Sequence, residues 1–392
     1  MTPAASKFSN FSKFSNRLAA MQNPFRPSFG VPPLFWVGRA TSLDSFRSAL
    51  ATGPGAFGRS MVISGARGIG KTVLLNELED IATANGWLAL RASGRMNLAR
   101  ELRDTTIPRA AASLNPRQKR RVSRVGISSL GTVGFEHDDE PDFQPTLNTE
   151  LRRLVGLTSE SGVLITIDEV QDAAQDDLTE LAVAYQDLLR DELNVALVMA
   201  GLPQGVEGLL DLPGATFLRR AERHLLGPFS PPNSATAFHS TAAESGIAFT
   251  DDAVAAATEL SQGYPFLVQL VGSLAWQKAH ADARDAITRA DVEDVADTAI
   301  AAMGSQVHAP AVRDLPPAQR AYLEAMAHVG GVEIAASDIA EQVGKPVKSL
   351  SDTRQKLIGA DLIEPAGFGK VAFTLPYLAE YLCSTDRLGR VD

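Results

Sequence analysis

Gly65-Ala66-Arg67-Gly68-Ile69-Gly70-Lys71-Thr72 is the stretch from which the rest of the chain can be read. Its spacing is Gly-x4-Gly-Lys-[Ser/Thr]. Met61-Val62-Ile63-Ser64 precedes it, a short apolar, β-branched run that predicts a buried strand. Val73, Leu74, Leu75, Leu78 and Ile81 follow at helical spacing. Strand, glycine loop and helix together form the context in which such a loop cradles phosphate groups. The glycines let several N–H groups face one point, and the helix N-terminus adds partial positive charge there. Lys71 is placed for the β- and γ-phosphates and the Thr72 hydroxyl for Mg2+. A nucleotide of the ATP type is the expected ligand.

Further strands extend the pattern. Gly86 to Ala92, Gly162 to Ile167, Val195 to Met199 and a short His224 to Gly227 read as strands, with helices between them. Alternating strands and helices predict an α/β fold with a parallel sheet. The strand at Gly162 to Ile167 runs into Asp168-Glu169. Ligands of parallel sheets bind at such carboxyl ends. Asp168 is therefore the second candidate for Mg2+, and Glu169 the candidate base that polarises an attacking water. The plainer reading is an acidic pair that only ends a strand at solvent. Hydrolysis also needs positive charge on the γ-phosphate. Arg219, Arg220 and Arg223 are available for this, with Arg220 chosen, and a solvated helix end is the other reading.

At 392 residues the chain is long enough for two or three domains. Its 45% hydrophobic and 21% charged content are those of a globular protein. No run of 18 apolar residues occurs, so no membrane span is expected. Cys383 is the single cysteine, which excludes an internal disulfide and fits a reducing, cytoplasmic setting. The net charge of −9 argues against general attraction to nucleic acid, so any such contact needs a local patch.

Four divisions follow. Residues 1–33 carry Lys7, Lys13, Arg17 and Arg26, no acid and a repeated Lys-Phe-Ser-Asn. They read as a basic mobile tail, the alternative being a helix for a membrane surface or a partner. Residues 34–229 form the nucleotide-binding core. Within it, about 93–149 reads as a charged insertion, basic from Arg117 to Arg124 and acidic from Glu136 to Asp142. A solvated insertion and a nucleic-acid-binding loop are its two readings. Residues 230–304 read as an all-helical lid.

Residues 305–392 read as helix, helix, helix and hairpin, a winged helix-turn-helix. Its candidate recognition helix, Lys348 to Ile358, offers Lys348, Ser349, Ser351, Arg354 and Lys356, and Lys370 marks the wing. These could grip the phosphates of double-stranded DNA. From Leu315 onward, however, eight basic residues face ten acidic ones, net −2. Packing on the core or on a partner protein is the equal alternative.

Together these residues resemble the AAA+/STAND group of phosphate-loop ATPases, in particular its bacterial and archaeal single-chain members related to origin-recognition ATPases. Phe35-Trp36-Val37-Gly38-Arg39 looks like the group's lead-in motif near adenine. Gly65 to Thr72 and Ile167-Asp168-Glu169-Val170-Gln171 look like its two Walker motifs. Gly201-Leu202-Pro203 follows the fourth strand as in many members, and Gly263-Tyr264-Pro265 looks like the Gly-x-Pro motif of STAND proteins. The resemblance implies an ATPase core with sheet order 5-1-4-3-2 and a helical lid. Gly38, Arg39 and Pro265 would join the loop around ATP·Mg2+. Two departures stand out. Met199-Ala200-Gly201 has no polar residue at the sensor position, and the lid helix from Pro265 to Trp276 has no arginine, Gln269 being the nearest polar substitute. Slow, switch-like hydrolysis is expected. Two function classes remain: a DNA-associated ATP switch, and a signalling or scaffold ATPase whose winged helix binds protein or a second copy of the chain. No acceptor-site signature supports a small-molecule transferase.

Overall fold

The structure, a computed structural model, describes residues 22–95, 97–114, 145–158, 161–210 and 216–388. These fall into two compact units. One comprises residues 42–64 and 75–225. The other joins the residues up to 41, the short piece 65–74 and everything from 226 onward.

The first unit is organised by a five-stranded sheet. Its strands are β1 (Ser60–Gly65), β2 (Leu88–Ser93), β3 (Val163–Asp168), β4 (Val195–Gly201) and β5 (Glu222–Leu226), in the order β2-β3-β4-β1-β5. This is the expected 5-1-4-3-2 order. β1, β2, β3 and β4 pair in parallel, with Val62 and Ile167 both opposite Met199. Helices cover such a sheet on both faces, so its strands read as continuous apolar runs. Val163, Leu164, Ile165 and Ile167 of β3 are all fully buried. Each such aliphatic side chain contributes about 1.5–3 kcal/mol on burial.

The helices are α1 (Ala40–Thr52), α2 (Lys71–Ala84), α3 (Leu98–Glu101), α4 (Ile107–Leu114), α5 (Leu147–Leu157), α6 (Gln175–Arg190) and α7 (Pro203–Leu210). Arg59 is buried just before β1. Its Nε and Nη2 donate to the carbonyls of Ala49 and Leu50 in the last turn of α1, at 3.0 and 3.1 Å. A cation there satisfies carbonyls that have no partner within the helix.

The stretch read as a charged insertion requires a correction. Its first part, α3, a π-helical turn at Leu102–Thr106 and α4, belongs to the core, with Leu98, Leu102, Ile107 and Ala111 buried. Leu98 to Leu102 and Ile107 to Ala111 are each four apart, but the wide turn sets Leu102 and Ile107 five apart. That slip breaks the helical period in the sequence. The basic and acidic runs between Arg117 and Asp142 lie outside the described residues.

In the second unit, α8 (Pro231–Ala243), α9 (Asp251–Ser261), α10 (Pro265–Ala281) and α11 (Arg289–Met303) make up the stretch expected to be a lid. It is not all-helical as expected. Ala248–Phe249 (β6) and Ala286–Ile287 (β7) pair in parallel, two residues each, too short to show alternation. The N-terminal stretch also differs from expectation. Phe25 is 3% exposed, beside Phe238 and Phe249, with ring centroids 6.3 and 6.1 Å apart. Phe29 stacks on Phe266, and Asn23 donates to the Ser273 carbonyl at 3.1 Å. Residues 23–29 of the supposed mobile tail are thus fastened to the lid, and residues 1–21 lie outside the described residues.

α11 continues through a π-helical turn into α12 (Ala309–Val312). There follow α13 (Pro317–Val329), β8 (Ile334–Ala335), α14 (Ala336–Val343), α15 (Ser351–Gly359), β9 (Ile363–Pro365), β10 (Lys370–Phe373) and α16 (Leu378–Leu388). The three strands form an antiparallel sheet in the order β8-β10-β9. α15 is shorter than expected, because Lys348 and Ser349 lie in a preceding 3-10 turn, Val347–Leu350. No helix among the described residues is long and apolar enough to cross a membrane.

Candidate functional site

The loop after β1 has the curled backbone its sequence demands. Gly68 sits at φ +74° and Gly70 at φ +96°, conformations that side chains with a Cβ rarely adopt. Successive amides therefore turn toward one side before α2 begins at Lys71. Ile69 is buried and anchors the loop, whereas Arg67 and Thr72 are exposed. Lys71 is only 7% exposed, and its Nζ donates to the carbonyls of Gly65 and Ala66 at 2.8 and 3.0 Å. The ammonium is thus folded back over its own loop. A glycine nest, a helix N-terminus and a retained lysine make a donor set that fits a polyphosphate.

Residues distant in sequence converge on the loop. Arg39 donates to the carbonyls of Gly227 and Ile69, at 2.9 and 3.4 Å. Its guanidinium lies 5.1 Å from the Phe229 ring centre, and burial lowers its pKa to about 10. Gly38 precedes it at φ +65°. Pro265 opens α10 at N1, where the missing N–H costs nothing. The middle residue of that motif, Tyr264, is the one that reaches the loop: a Cβ on Gly68 would lie 3.1 Å from its ring. Burial pushes its phenol pKa well up. Burial raises the carboxyl of Asp361, in the turn between α15 and β9, to about 6, while the charges of Lys71 and Arg67 act to lower it. Tyr264 was read only as the variable position of a motif, and Asp361 carried no signal in the sequence.

β3 delivers the acidic pair. β1 and β3 are parallel strands of one sheet, so the chain leaves Gly65 and Asp168 at the same carboxyl edge. Asp168 Oδ1 accepts from the Glu169 amide at 2.9 Å. Glu169 stands at φ +53°, a left-handed conformation that costs a residue with a Cβ of order 1–3 kcal/mol. Strain of this size persists where the surroundings hold it. Gln171 Nε2 donates to Glu169 Oε2, and Arg95 Nη2 lies 3.7 Å from Oε1. Arg95 Nε also contacts Asp172 at 3.2 Å.

Gln171 is a functional candidate that the sequence did not single out. Its Oε1 accepts from the Leu202 amide at 3.0 Å, tying Glu169 to the end of β4. A Cβ on Gly201 would lie 2.8 Å from that same Oε1. The missing polar residue at the end of β4 thus has a structural counterpart: Gln171 fills the space beside Gly201.

The three arginines before β5 differ. Arg219 Nε donates to the Leu210 carbonyl at 2.9 Å, and Arg223 reaches only the Arg219 carbonyl, at 3.5 Å. Arg220 is exposed and makes no hydrogen bond or ion pair among the described residues. Gln269, considered as a lid sensor, accepts from the Arg26 amide at 2.8 Å and so serves the N-terminal stretch.

The candidate DNA-contacting residues do not form one surface. Ser351 and Arg354 are three apart on α15 and share a face. Lys356 lies on another face, paired with Asp352 at 2.8 Å. Lys370 is paired with Glu333 at 3.1 Å, and the Ser349 hydroxyl donates to the Pro346 carbonyl at 2.7 Å. Lys348 is exposed and Arg354 half-buried. Acidic partners thus neutralise two of the four cations.

Residues 36–198 match the AAA ATPase domain family, and residues 305–382 match a family described as a domain of unknown function. No curated protein sequence matches the chain. Among solved structures, the Walker-type ATPase PABY2304 of Pyrococcus abyssi is similar at TM-score 0.58 and 17% identity, over 89% of this chain and 96% of that one. The ORC2 protein of Aeropyrum pernix, solved in ADPNP and ADP complexes, is similar at TM-score 0.58 and 15% identity, over 93% and 98%. At such identities the two structures establish the fold, and the match to the AAA ATPase domain family covers residues 36–198, less than half of the chain.

Proposed function

We propose that the chain binds ATP with Mg2+ and hydrolyses it slowly, as a nucleotide-controlled switch whose output is the C-terminal domain. The observation that carries this reading is the glycine loop, with Lys71 held over it, leaving the same sheet edge as Asp168-Glu169. In it, the loop amides and Lys71 bind the β- and γ-phosphates. Thr72 and Asp168 hold Mg2+, which supplies charge neutralisation at the phosphates. Glu169 takes a proton from the attacking water. It does so only after exchanging its bond to Gln171 and its pairing with Arg95 for the water, which is a physical reason for low turnover. Arg220 is the candidate to supply positive charge to a neighbouring copy in a nucleotide-dependent oligomer.

For the C-terminal domain we read a winged helix from the order helix, strand, helix, helix, hairpin. Duplex DNA remains a candidate partner through Lys348, Ser349, Ser351 and Arg354. The pairing of Lys356 with Asp352 and of Lys370 with Glu333 favours the second reading, a signalling or scaffold role with a protein partner. A cytoplasmic location belongs to the proposal through the single free thiol. The decisive measurement follows size and duplex binding of the purified chain with and without ATP·Mg2+. Calorimetry without heat at millimolar ATP would remove the foundation of the proposal.

A further inference from the structure

We propose that residues 6–17, which lie outside the described residues, dock in the groove between α8 and α9 of their own chain, their phenylalanines filling it and their lysines meeting its acidic rim. The inference gives the basic repeat of the sequence a partner and is independent of the nucleotide reading above.

α8 and α9 flank a groove of about 840 Å3. Pro231, Ala235, Val254 and Ala255 give it apolar walls, with Phe229 beside them. The hydroxyls of Ser234 and Thr258, two further lining residues, are buried without a hydrogen-bond partner among the described residues. Buried hydroxyls are ordinarily paired, and leaving them unpaired costs stability. Asp251 and Glu259 line the same groove, both exposed and neither in an ion pair among the described residues, and the lining holds no lysine or arginine. The groove is separate from the nucleotide loop. Asn233 is the α8 residue that faces Gly38, where a Cβ would lie 3.0 Å from its Nδ2. Ala235 is two positions further on, about 200° around the helix.

The chemistry of residues 6–17 complements this lining. They read Ser-Lys-Phe-Ser-Asn-Phe-Ser-Lys-Phe-Ser-Asn-Arg. Phe8, Phe11 and Phe14 recur at every third position, so one helical face can present all three. Lys7, Lys13 and Arg17 stand without an acid among them, opposite in sign to Asp251 and Glu259. Serine and asparagine at the remaining positions bring the donors and acceptors that Ser234 and Thr258 lack.

Residues 22–25 bring the segment to the groove. Asn23 is bonded to Ser273, and Phe25 packs against Phe238 of α8, next to His239, which lines the groove. The chain from Gln22 back to Phe14 can reach up to about 28 Å, and a helix with its side chains is about 10–12 Å across. The segment therefore needs only to round α8. Tethering at this range supplies an effective concentration on the order of millimolar, so docking within one chain prevails over docking between two copies.

The test uses the full chain with Cys383→Ser, so that introduced thiols are the only ones. Ser12→Cys with Ala255→Cys should form a disulfide within one chain under mild oxidation. The control is Ser12→Cys with Ala301→Cys, an exposed position on α11 outside the lining. We expect the groove pair to close roughly tenfold faster than the control. Melting curves of the reduced variants check the fold. Phe8→Ser, Phe11→Ser and Phe14→Ser together should bring the rate down to the control. Glu259→Lys should slow closure several-fold, and Lys13→Glu added to it should restore the rate, a rescue that a merely structural role of Glu259 does not give. Equal rates at Ala255 and Ala301, or a rate indifferent to the three phenylalanines, would overturn the inference. A disulfide between chains that grows with protein concentration would overturn it as well and assign the groove to a second copy. A chain that fails to bind ATP would end the nucleotide reading and leave this inference standing.

Discussion

The phosphate loop and the surface of the C-terminal domain both carry lysines, and they differ in what holds those lysines. Lys71 is buried and fixed by two main-chain carbonyls, in a loop whose shape is set by glycine conformations. Lys356 and Lys370 project into solvent and pair with acids from their surroundings. Exposed pairs of this kind are worth about 0–1 kcal/mol and rearrange easily. A site built from backbone is therefore specified by local sequence. A site built from surface side chains depends on which neighbours the fold supplies.

The contrast can be broken most directly at Lys71. Lys71→Ala should weaken ATP binding by on the order of a hundredfold or more, since it removes a buried charge facing phosphate; titration calorimetry reads this. Retained micromolar binding would mean that the backbone nest alone makes the site. Glu169→Gln should bind ATP at parental affinity and lower its turnover by about a hundredfold. Unchanged turnover in a phosphate-release assay would reassign the base, with Asp172 the next acid to test.

The junction after the lid offers a pH-dependent comparison. His308 is fully buried, with Nε2 2.9 Å from the Pro376 carbonyl, and burial lowers its pKa to about 4. Between pH 6.5 and 4 the unfolded chain takes up a proton that the folded chain refuses. Stability should therefore fall as pH drops through this window, by on the order of 3 kcal/mol for this group. Melting temperature against pH would show the slope, and His308→Gln should flatten it. The smallest effect is expected on the exposed helix. Reversing Lys348 and Arg354 to Glu should lower duplex affinity only several-fold and reduce the salt dependence by about two ions if DNA is the partner. No change would leave the protein-contact reading.

Legibility followed the same division. The strands β1 to β4, the loop and the Asp168-Glu169 pair could be read because continuous apolar runs and fixed glycine spacing are local. The helices of residues 98–114 were hidden, although their core residues are ordinary leucine, isoleucine and alanine, because the π-turn inserts one residue between two good helical patterns. The strap at Phe25 and Phe29 was read as a tail because its aromatic partners are more than two hundred residues away. Tyr264 sat inside a recognised motif, yet its flanking glycine and proline drew the reading. Gln171 closed a quoted motif without a role of its own, and Asp361 lay in no motif.

The sequence by itself determined that this chain carries a phosphate loop on a parallel sheet, because glycine, proline and hydrophobic spacing act on the nearest few residues through sterics and burial. Only the tertiary structure decided which groups face that loop and which surface charges remain uncompensated. Those depend on the convergence of segments far apart in the chain, where a single buried carboxylate or paired lysine changes the chemistry and leaves the local pattern untouched.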